Sequence, residues 1–334
     1  MNFRVNEEQR ALQAGVRRFC AEQFGLEVLR RLEGRAVDRA LWSALGELGV
    51  FSLHLPESAG GAGLGVAEAV LVFEELGRAL VPGPLVWTLL AAGRIPGAAS
   101  GAAVVTGLDA LGADGAKGPI ELPAEVDGAL LLDVDGVRFV PVHALGVKPL
   151  ARPLDPLTPV GAVEGLRVRS AATTLGDASE ARSLRRLGAL LDAAFLLGSA
   201  QATLDLAVAH AKQREQFGRP IGSFQALKHM MADMFARQEL ARGAVYSAAA
   251  HVAAPEVGDV ARAVSSARLV AHAAAEKNAR ASIQIHGGMG YTWEVPVHYH
   301  LKRVWVLESR FGSSSEHAEA VARRVAEKNM EAGI

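Results

Sequence analysis

A corner at residues 214–225 separates two long helical patterns and limits the fold of this chain more than any other segment. In residues 184–208, apolar side chains recur every three or four positions, the spacing of one face of an α-helix. After the turn-forming Gly218-Arg219-Pro220, a second stripe covers residues 227–245, and Ser223 is placed to cap its helix. We therefore predict two long antiparallel helices joined by a compact corner.

The corner also concentrates side chains that suit a dinucleotide. Arg214 offers a planar fork of donors that matches a pyrophosphate, and Phe217 offers a flat face to a ring. Gln216 and Gln225 carry amides that both donate and accept hydrogen bonds. The alternative is an ordinary solvated corner in which Phe217 and Phe224 pack into the core.

A glycine-rich turn ends a third helical pattern, which covers residues 259–285. Gly287, Gly288 and Gly290 remove three side chains within four positions, so another group can approach the backbone closely. Taken alone, the segment is also explained as a glycine-rich helix C-terminus.

Together, the corner and the turn resemble the acyl-CoA dehydrogenase family, which carries an R-x-Q-F-G-x-P-I-x-x-F-Q corner and a Q-x-x-G-G-x-G-Y/F turn. Residues 214–225 and 284–291 match these two patterns, and residues 41–50, 55–65 and 74–78 resemble the N-terminal domain of the family. The resemblance covers nearly the whole chain. It implies an α+β, mostly helical fold with an N-terminal helical domain, a small middle β domain and a C-terminal four-helix bundle.

Breaks in the pattern divide the chain into three predicted domains. Residues 1–98 are helical patterns separated by glycine-rich turns, with a helix-capping signal at residues 6–9. Residues 99–179 hold short apolar runs typical of strands, and Asp135-Gly136 marks a hairpin. Residues 180–334 return to long helices, as in a four-helix bundle.

Composition excludes several classes of function. The 35 basic and 36 acidic residues nearly balance, so no general attraction to nucleic acid or to an anionic membrane is expected. The single cysteine, Cys20, excludes an intramolecular disulfide framework, and we interpret it as a packing residue in a reducing compartment. The polar N-terminal stretch is unlike a signal peptide, and no uninterrupted apolar run reaches the length of a bilayer. We expect a cytoplasmic protein.

Histidines are the candidate metal ligands in this sequence. His298 and His300 have no third ligand at a recognisable spacing, and His286 stands alone, so no metal is predicted.

The family resemblance implies FAD-dependent oxidation of an acyl-CoA thioester to its 2-enoyl product, in which a glutamate removes the α proton. Counting along the family patterns places that glutamate at Phe311 or, for other members, at Gly188. Neither residue is acidic. Asp192, one helical turn beyond Gly188, is the candidate for a displaced base, or else a hydrogen-bonded polar group at a helix contact. Glu308 and Glu316 are weaker candidates because a helical pattern turns them away from Phe311.

The middle region departs from the family pattern. Members with a complete site carry a T-E-P-x-x-G-S-D type stretch and a W-[IV]-[TS] strand around the isoalloxazine, and residues 99–179 contain neither. The region is also short, so we expect that the chain alone does not hold a flavin ring. In the family, however, the corner and the glycine turn reach across a dimer interface to the FAD of the neighbouring subunit.

This combination resembles the short, non-catalytic-type subunits of actinobacterial α2β2 acyl-CoA dehydrogenases that act on steroid CoA thioesters. The resemblance implies a heterotetramer in which this chain completes the FAD site of a homologous catalytic partner. Two alternatives stay open: a self-sufficient homo-oligomeric dehydrogenase with a displaced base, and a flavin-free interaction scaffold.

Carried over residue by residue, the resemblance assigns FAD contacts to three segments. Arg214 is expected at the pyrophosphate. Ser313 and Ser314 occupy the positions of the family's threonine and its successor, which touch FAD. The expected contacts near the adenosine half and from the glycine turn are Gln216, Phe217, Phe224, Gln225, Gln284, Gly287 and Gly288.

Overall fold

The N-terminal part of the molecule is helical. The computed structural model describes residues 5–111, 119–121, 125–163 and 172–331, with side chains described to residue 327. Asn6 caps the first helix through the capping box with Gln9 that the sequence predicts. The five helices of this part are α1 (Glu7–Gln23), α2 (Leu26–Arg31), α3 (Arg39–Glu47), α4 (Val66–Arg78) and α5 (Leu85–Ala91).

Two small sheets follow. One has the strand order β1-β3-β4-β7, with β1 and β3 parallel and the other pairs antiparallel, and the second has the order β2-β6-β5. The predicted hairpin is present, with Asp133 paired to Gly136, so the turn is centred one residue earlier than expected. The strands are β1 (Val105–Asp109), β2 (Pro119–Glu121), β3 (Gly128–Asp133), β4 (Gly136–Pro141), β5 (Val147–Pro149), β6 (Val160–Val163) and β7 (Thr173–Gly176).

Helices return after β7 and form a bundle. Among the described residues, four long helices and a shorter one occupy this part, and a two-stranded hairpin separates the first two. The elements are α6 (Ala178–Gln213), β8 (Glu215–Gln216), β9 (Arg219–Pro220), α7 (Gln225–Ala253), α8 (Val260–His286), α9 (Val297–Leu307) and α10 (Ser314–Glu331). The α+β, mostly helical fold is confirmed, whereas the division into domains at residues 98 and 179 stays a prediction.

The central helix α6 runs through the core of the bundle. It is long and apolar enough to cross a membrane by length and composition, but 89% of its apolar window is buried inside the protein, as in the core helix of a bundle. The sequence analysis expected no uninterrupted apolar run of bilayer length, and this holds for α6 only if Asp192 counts as an interruption of its apolar window.

Helices α4 and α6 cross at very short range. A Cβ on Gly77 would lie 1.9 Å from the Phe195 carbonyl oxygen, and a Cβ on Gly198 would lie 1.8 Å from that of Glu74. Only glycine at both positions allows this approach, which fixes the N-terminal helices against the bundle.

One capping prediction is wrong. Helix α7 begins at Gln225 with Phe224 at the N-cap position and no side-chain cap, and the buried Ser223 hydroxyl has no partner. A short 3₁₀ turn over Ile221–Ser223 places Ser223 one residue too early to reach the first free amides of the helix.

Candidate functional site

The corner is a tight β-hairpin whose tip consists of Phe217 and Gly218. Gln216 pairs with Arg219, and the two tip residues adopt φ values of 54° and 74°. Positive φ at both positions is the geometry of a type I′ turn, in which glycine or asparagine is the usual first residue. A phenylalanine there is therefore held in an unfavourable backbone conformation.

The tip presents an aromatic ring to solvent. Phe217 is 90% exposed, so the alternative in which it packs into the core is wrong for this residue. The Phe217 and Phe224 rings are perpendicular, with centroids 6.1 Å apart. The Arg219 guanidinium lies 4.2 Å from the centroid of the Phe224 ring. Arg214, Gln216 and Gln225 are exposed as well. The corner thus offers a free guanidinium, amides and a ring face on one surface.

The glycine turn lies at the same end of the bundle as the corner. His210, in the last turn of α6, stacks on His286, the last residue of α8, with ring centroids 4.3 Å apart. Gln284 is exposed, and a Cβ on Gly287 or Gly288 would meet nothing within 4 Å. Gly287 has a φ of 60°, which favours glycine, whereas nothing in the packing of this chain accounts for Gly288. The exposed backbone of both residues is open to another molecule.

Ser313 and Ser314 lie elsewhere. His317, in the same first turn of α10, contacts Ser265 near the start of α8, about 30 Å along that helix from His286 at 1.5 Å per residue. The Ser313 amide donates to Glu316, and the Ser314 hydroxyl donates to Glu308 at 2.9 Å. The two serines thus hold the start of α10 and do not join the corner and the glycine turn.

The two family positions of the glutamate base meet in the core. A Cβ on Gly188 would lie 2.5 Å from the ring of Phe311, which is fully buried. On another side, the Phe311 ring packs against Trp87 at 4.4 Å between centroids. A Cβ on Gly107 would in turn lie 2.1 Å from the Trp87 indole. Aromatic side chains therefore fill the space in which a catalytic carboxylate would lie.

We expect Gly188→Ala to destabilise the chain by about 1–3 kcal/mol, the usual cost of overpacking a core. In a Phe311→Ala background the same change should be neutral or stabilising, because alanine favours a helix over glycine by ~1 kcal/mol. Gly243→Ala in α7 is the matched control, since a Cβ there meets nothing within 4 Å. Urea unfolding of the chain alone measures all four variants, and additive effects of the first two would contradict the contact.

Asp192 is held in a buried ion pair and not in an open site. It is fully buried, and Arg310 binds it with two nitrogens, Nε lying 2.8 Å from Oδ2. A third nitrogen of Arg310 binds Glu121. Burial opposes the guanidinium charge, but the two carboxylates outweigh it and raise the pKa of Arg310. A carboxylate locked to an arginine in this way is poorly placed to accept a substrate proton.

Trp87 and Arg310 lie next to the candidate base residues, Trp87 against Phe311 and Arg310 against Asp192, and the sequence analysis did not identify either of them. Trp87 lies in the apolar run that forms α5, where nothing in the pattern separates it from core residues. Arg310 directly precedes the base position, in a mostly polar stretch with Glu308 and Ser309, where nothing in the linear pattern separates it from a solvated arginine.

The structure gives no metal centre within its described residues, where no group of three or more histidines, cysteines and carboxylates could hold an ion. His300 is buried against Ser199, its Nδ1 lying 2.9 Å from the hydroxyl. Burial and the Arg303 charge lower the pKa of His300 to about 3, so it is a neutral core residue.

Both helical parts of the chain match known domains. Residues 6–96 match the acyl-CoA dehydrogenase N-terminal domain, and residues 186–326 match the acyl-CoA dehydrogenase C-terminal domain. The chain is also similar to acyl-CoA dehydrogenase IpdE2 of Mycobacterium tuberculosis, with 36% identity over 312 residues that cover 89% of this chain and 91% of that protein.

Solved structures share the whole fold. A chain of the ChsE4-ChsE5 complex from Mycobacterium tuberculosis superposes with a TM-score of 0.83 at 26% identity, over 98% of this chain and 99% of that one. A chain of the Tcur3481-Tcur3483 steroid ACAD, G363A variant, also has a TM-score of 0.83, at 24% identity over 98% of this chain and 100% of that one.

Proposed function

The chain belongs to the acyl-CoA dehydrogenase family, and from this premise we propose that it is a subunit that completes the FAD site of a homologous catalytic partner without supplying the base. The enzyme so assembled would oxidise an acyl-CoA thioester between its α and β carbons. FAD, when bound, supplies the hydride acceptor.

The packing of Phe311 carries this proposal. Its ring fills the space between Gly188 and Trp87, so both family base positions are apolar and in contact. A general base must come within hydrogen-bond reach of the proton it removes, and no acidic side chain projects from either position. The chemistry is therefore assigned to another chain.

The exposed end of the bundle supports the second half of the proposal. The Arg214 guanidinium can bind the pyrophosphate in a bidentate manner, and the exposed Phe217 ring can stack on the adenine. The backbone of Gly287 and Gly288 allows a ligand to approach without a side chain in the way. These groups fit the dinucleotide half of FAD.

Heteromeric neighbours support the choice of a partner. The ChsE4-ChsE5 structure is described as a complex of two named chains, and the Tcur3481-Tcur3483 neighbour is named in the same way and called a steroid ACAD. An α2β2 assembly and a steroid side-chain thioester as substrate are accordingly part of the proposal. The steroid rests on the sequence resemblance, because a likeness at 24% identity supports the fold alone.

We expect the purified chain alone to carry almost no FAD, and about one FAD per pair of chains after co-expression with a homologous catalytic subunit. The visible absorption spectrum against protein concentration measures both ratios. One FAD per chain without a partner would instead support the homo-oligomeric dehydrogenase. No FAD in either preparation would support the flavin-free scaffold.

A further inference from the structure

A pair of stacked histidines joins the corner to the glycine turn. The His210 and His286 rings lie with their centroids 4.3 Å apart and their planes 25° from parallel. His210 is one helical turn before Arg214, and His286 directly precedes Gly287. The pair therefore connects the two segments to which the proposed function assigns FAD contacts.

His286 is the fixed member of the pair. It is only 7% exposed, and its Nδ1 lies 2.8 Å from the Ser282 carbonyl oxygen. Because a carbonyl oxygen only accepts hydrogen bonds, Nδ1 carries a proton and donates it. This hydrogen bond holds the imidazole of His286 in one orientation, with its face against His210.

His210 is the member whose charge can change. It is partly exposed, so a proton can reach its ring from solvent. Burial, the neighbouring His286 and the Arg214 charge, in that order of size, lower the pKa of His210 below its usual value of 6.5. Among the described residues, these two are the charged or titratable groups that act on His210, and the glycine turn adds no ionisable side chain before Tyr291. The imidazole of the chain itself is therefore neutral at pH 7.5.

A pyrophosphate bound at Arg214 reverses this balance of charge. The Arg214 amide donates to the His210 carbonyl at 2.8 Å, and the two side chains are four positions apart, a spacing that brings side chains together at a helix surface. Negative charge at Arg214 offsets the guanidinium and favours the protonated form of a neighbouring imidazole. The C-terminus of α6, where both residues lie, also favours a positive charge.

We propose that His210 takes up a proton from solvent when FAD binds and becomes a second cationic group beside the pyrophosphate. This inference rests on the proposed function, since it uses the same end of the bundle. The FAD-bound form then holds more protons than the free form. FAD affinity therefore falls as the pH rises through the pKa that His210 has in the bound form.

The FAD dissociation constant of the assembled complex, measured by equilibrium dialysis at pH 6 and pH 8, tests the proposal. For the wild type we expect at least about fivefold tighter binding at pH 6, the lower end of the usual coupling between two bound ligands, here FAD and a proton. His210→Tyr keeps an aromatic ring on His286 but gains no positive charge, so its binding should be weak at both pH values. His210→Arg is charged throughout and can still stack, so its binding should be tight at both. His251→Gln, in the last turn of α7 and thus at the opposite end of that helix from the corner, should keep the wild-type pH dependence.

Calorimetry of FAD binding at pH 7 in two buffers of different ionisation enthalpy measures the proton uptake directly. We expect uptake by the wild type that neither His210 variant shows. Wild-type binding without pH dependence or proton uptake, or a pH dependence that the His210 variants retain, would overturn this inference and leave the proposed function intact. A complex that binds no FAD would overturn both. Thermal melting confirms that each variant is folded, and one folded variant suffices because each has its own expected pH profile.

Discussion

Replacing Arg214 with alanine should release most of the FAD from the assembled enzyme while leaving this subunit folded. A hydrogen bond to a charged group contributes ~1.5–3 kcal/mol, so removal of the guanidinium should weaken FAD binding by about 10- to 150-fold. Arg214 is exposed, and among the described residues its side chain makes no hydrogen bond, so its loss should cost the fold little. Equilibrium dialysis of FAD against the co-purified complex measures the effect.

Two comparisons make this result interpretable. Lys228→Ala removes an exposed cation from the first turn of α7, close to the corner, and should leave FAD binding unchanged. Arg214→Lys keeps the charge but not the planar fork, so an intermediate loss is expected. FAD binding that is equally tight in the alanine variant would show that the corner does not contact the cofactor.

Replacing Arg310 with alanine should destabilise the chain by about 3–5 kcal/mol at pH 7.5, because it leaves the Asp192 and Glu121 carboxylates buried without their cation. Arg324→Ala is the matched control. Its partner Glu327 is exposed, and its other partner, Asp259, is partly exposed and 3.6 Å away, so a loss of less than about 1 kcal/mol is expected. Urea unfolding of the chain alone measures both variants.

The loss of stability in the Arg310→Ala variant should also depend on pH in a defined direction. Burial raises the pKa of Glu121 above its usual value of 4.5, and the Arg310 charge counteracts this rise. In the Arg310→Ala variant, the pKa of Glu121 should therefore be still higher. A carboxyl group whose folded pKa is raised stabilises the fold below its unfolded pKa and loses that stability as the pH rises through the folded pKa. The deficit relative to the wild type should therefore be smaller at pH 5 than at pH 7.5. A deficit that is constant or larger at pH 5 would show that the buried carboxylates are not its cause.

Local signals in the sequence were sufficient for much of the fold. The capping box at Asn6 is present, and α8 ends at His286, one residue beyond the predicted end. The two long helices on either side of the corner follow from their apolar stripes. In each case the decisive interactions are between residues a few positions apart, which a linear pattern contains. The prediction that Ser223 caps α7 was wrong because a 3₁₀ turn over Ile221–Ser223 shifts the start of the helix by one residue.

The filled core beside the base positions could be predicted only in part. Counting along the family patterns identified Gly188 and Phe311 as non-acidic, but their contact depends on how α6 packs against the loop before α10. Trp87 comes from the N-terminal helices, and its place against Phe311 depends on tertiary packing that periodicity does not contain. The hydrogen bond from the Ser313 amide to Glu316 also depends on the local turn, while the FAD contact assigned to Ser313 stays a prediction.

The contact between Gly188 and Phe311 also has an evolutionary consequence. A glutamate at position 188 would need the space of the Phe311 ring, and a glutamate at position 311 would be packed against the Trp87 indole. Either single reversion would therefore lower the stability of the chain before it could restore proton abstraction. Under the proposed function, recovery of a base by this chain would therefore need at least two coordinated mutations through a destabilised intermediate. The packing of these side chains would thus keep proton abstraction on the partner subunit of the proposed assembly.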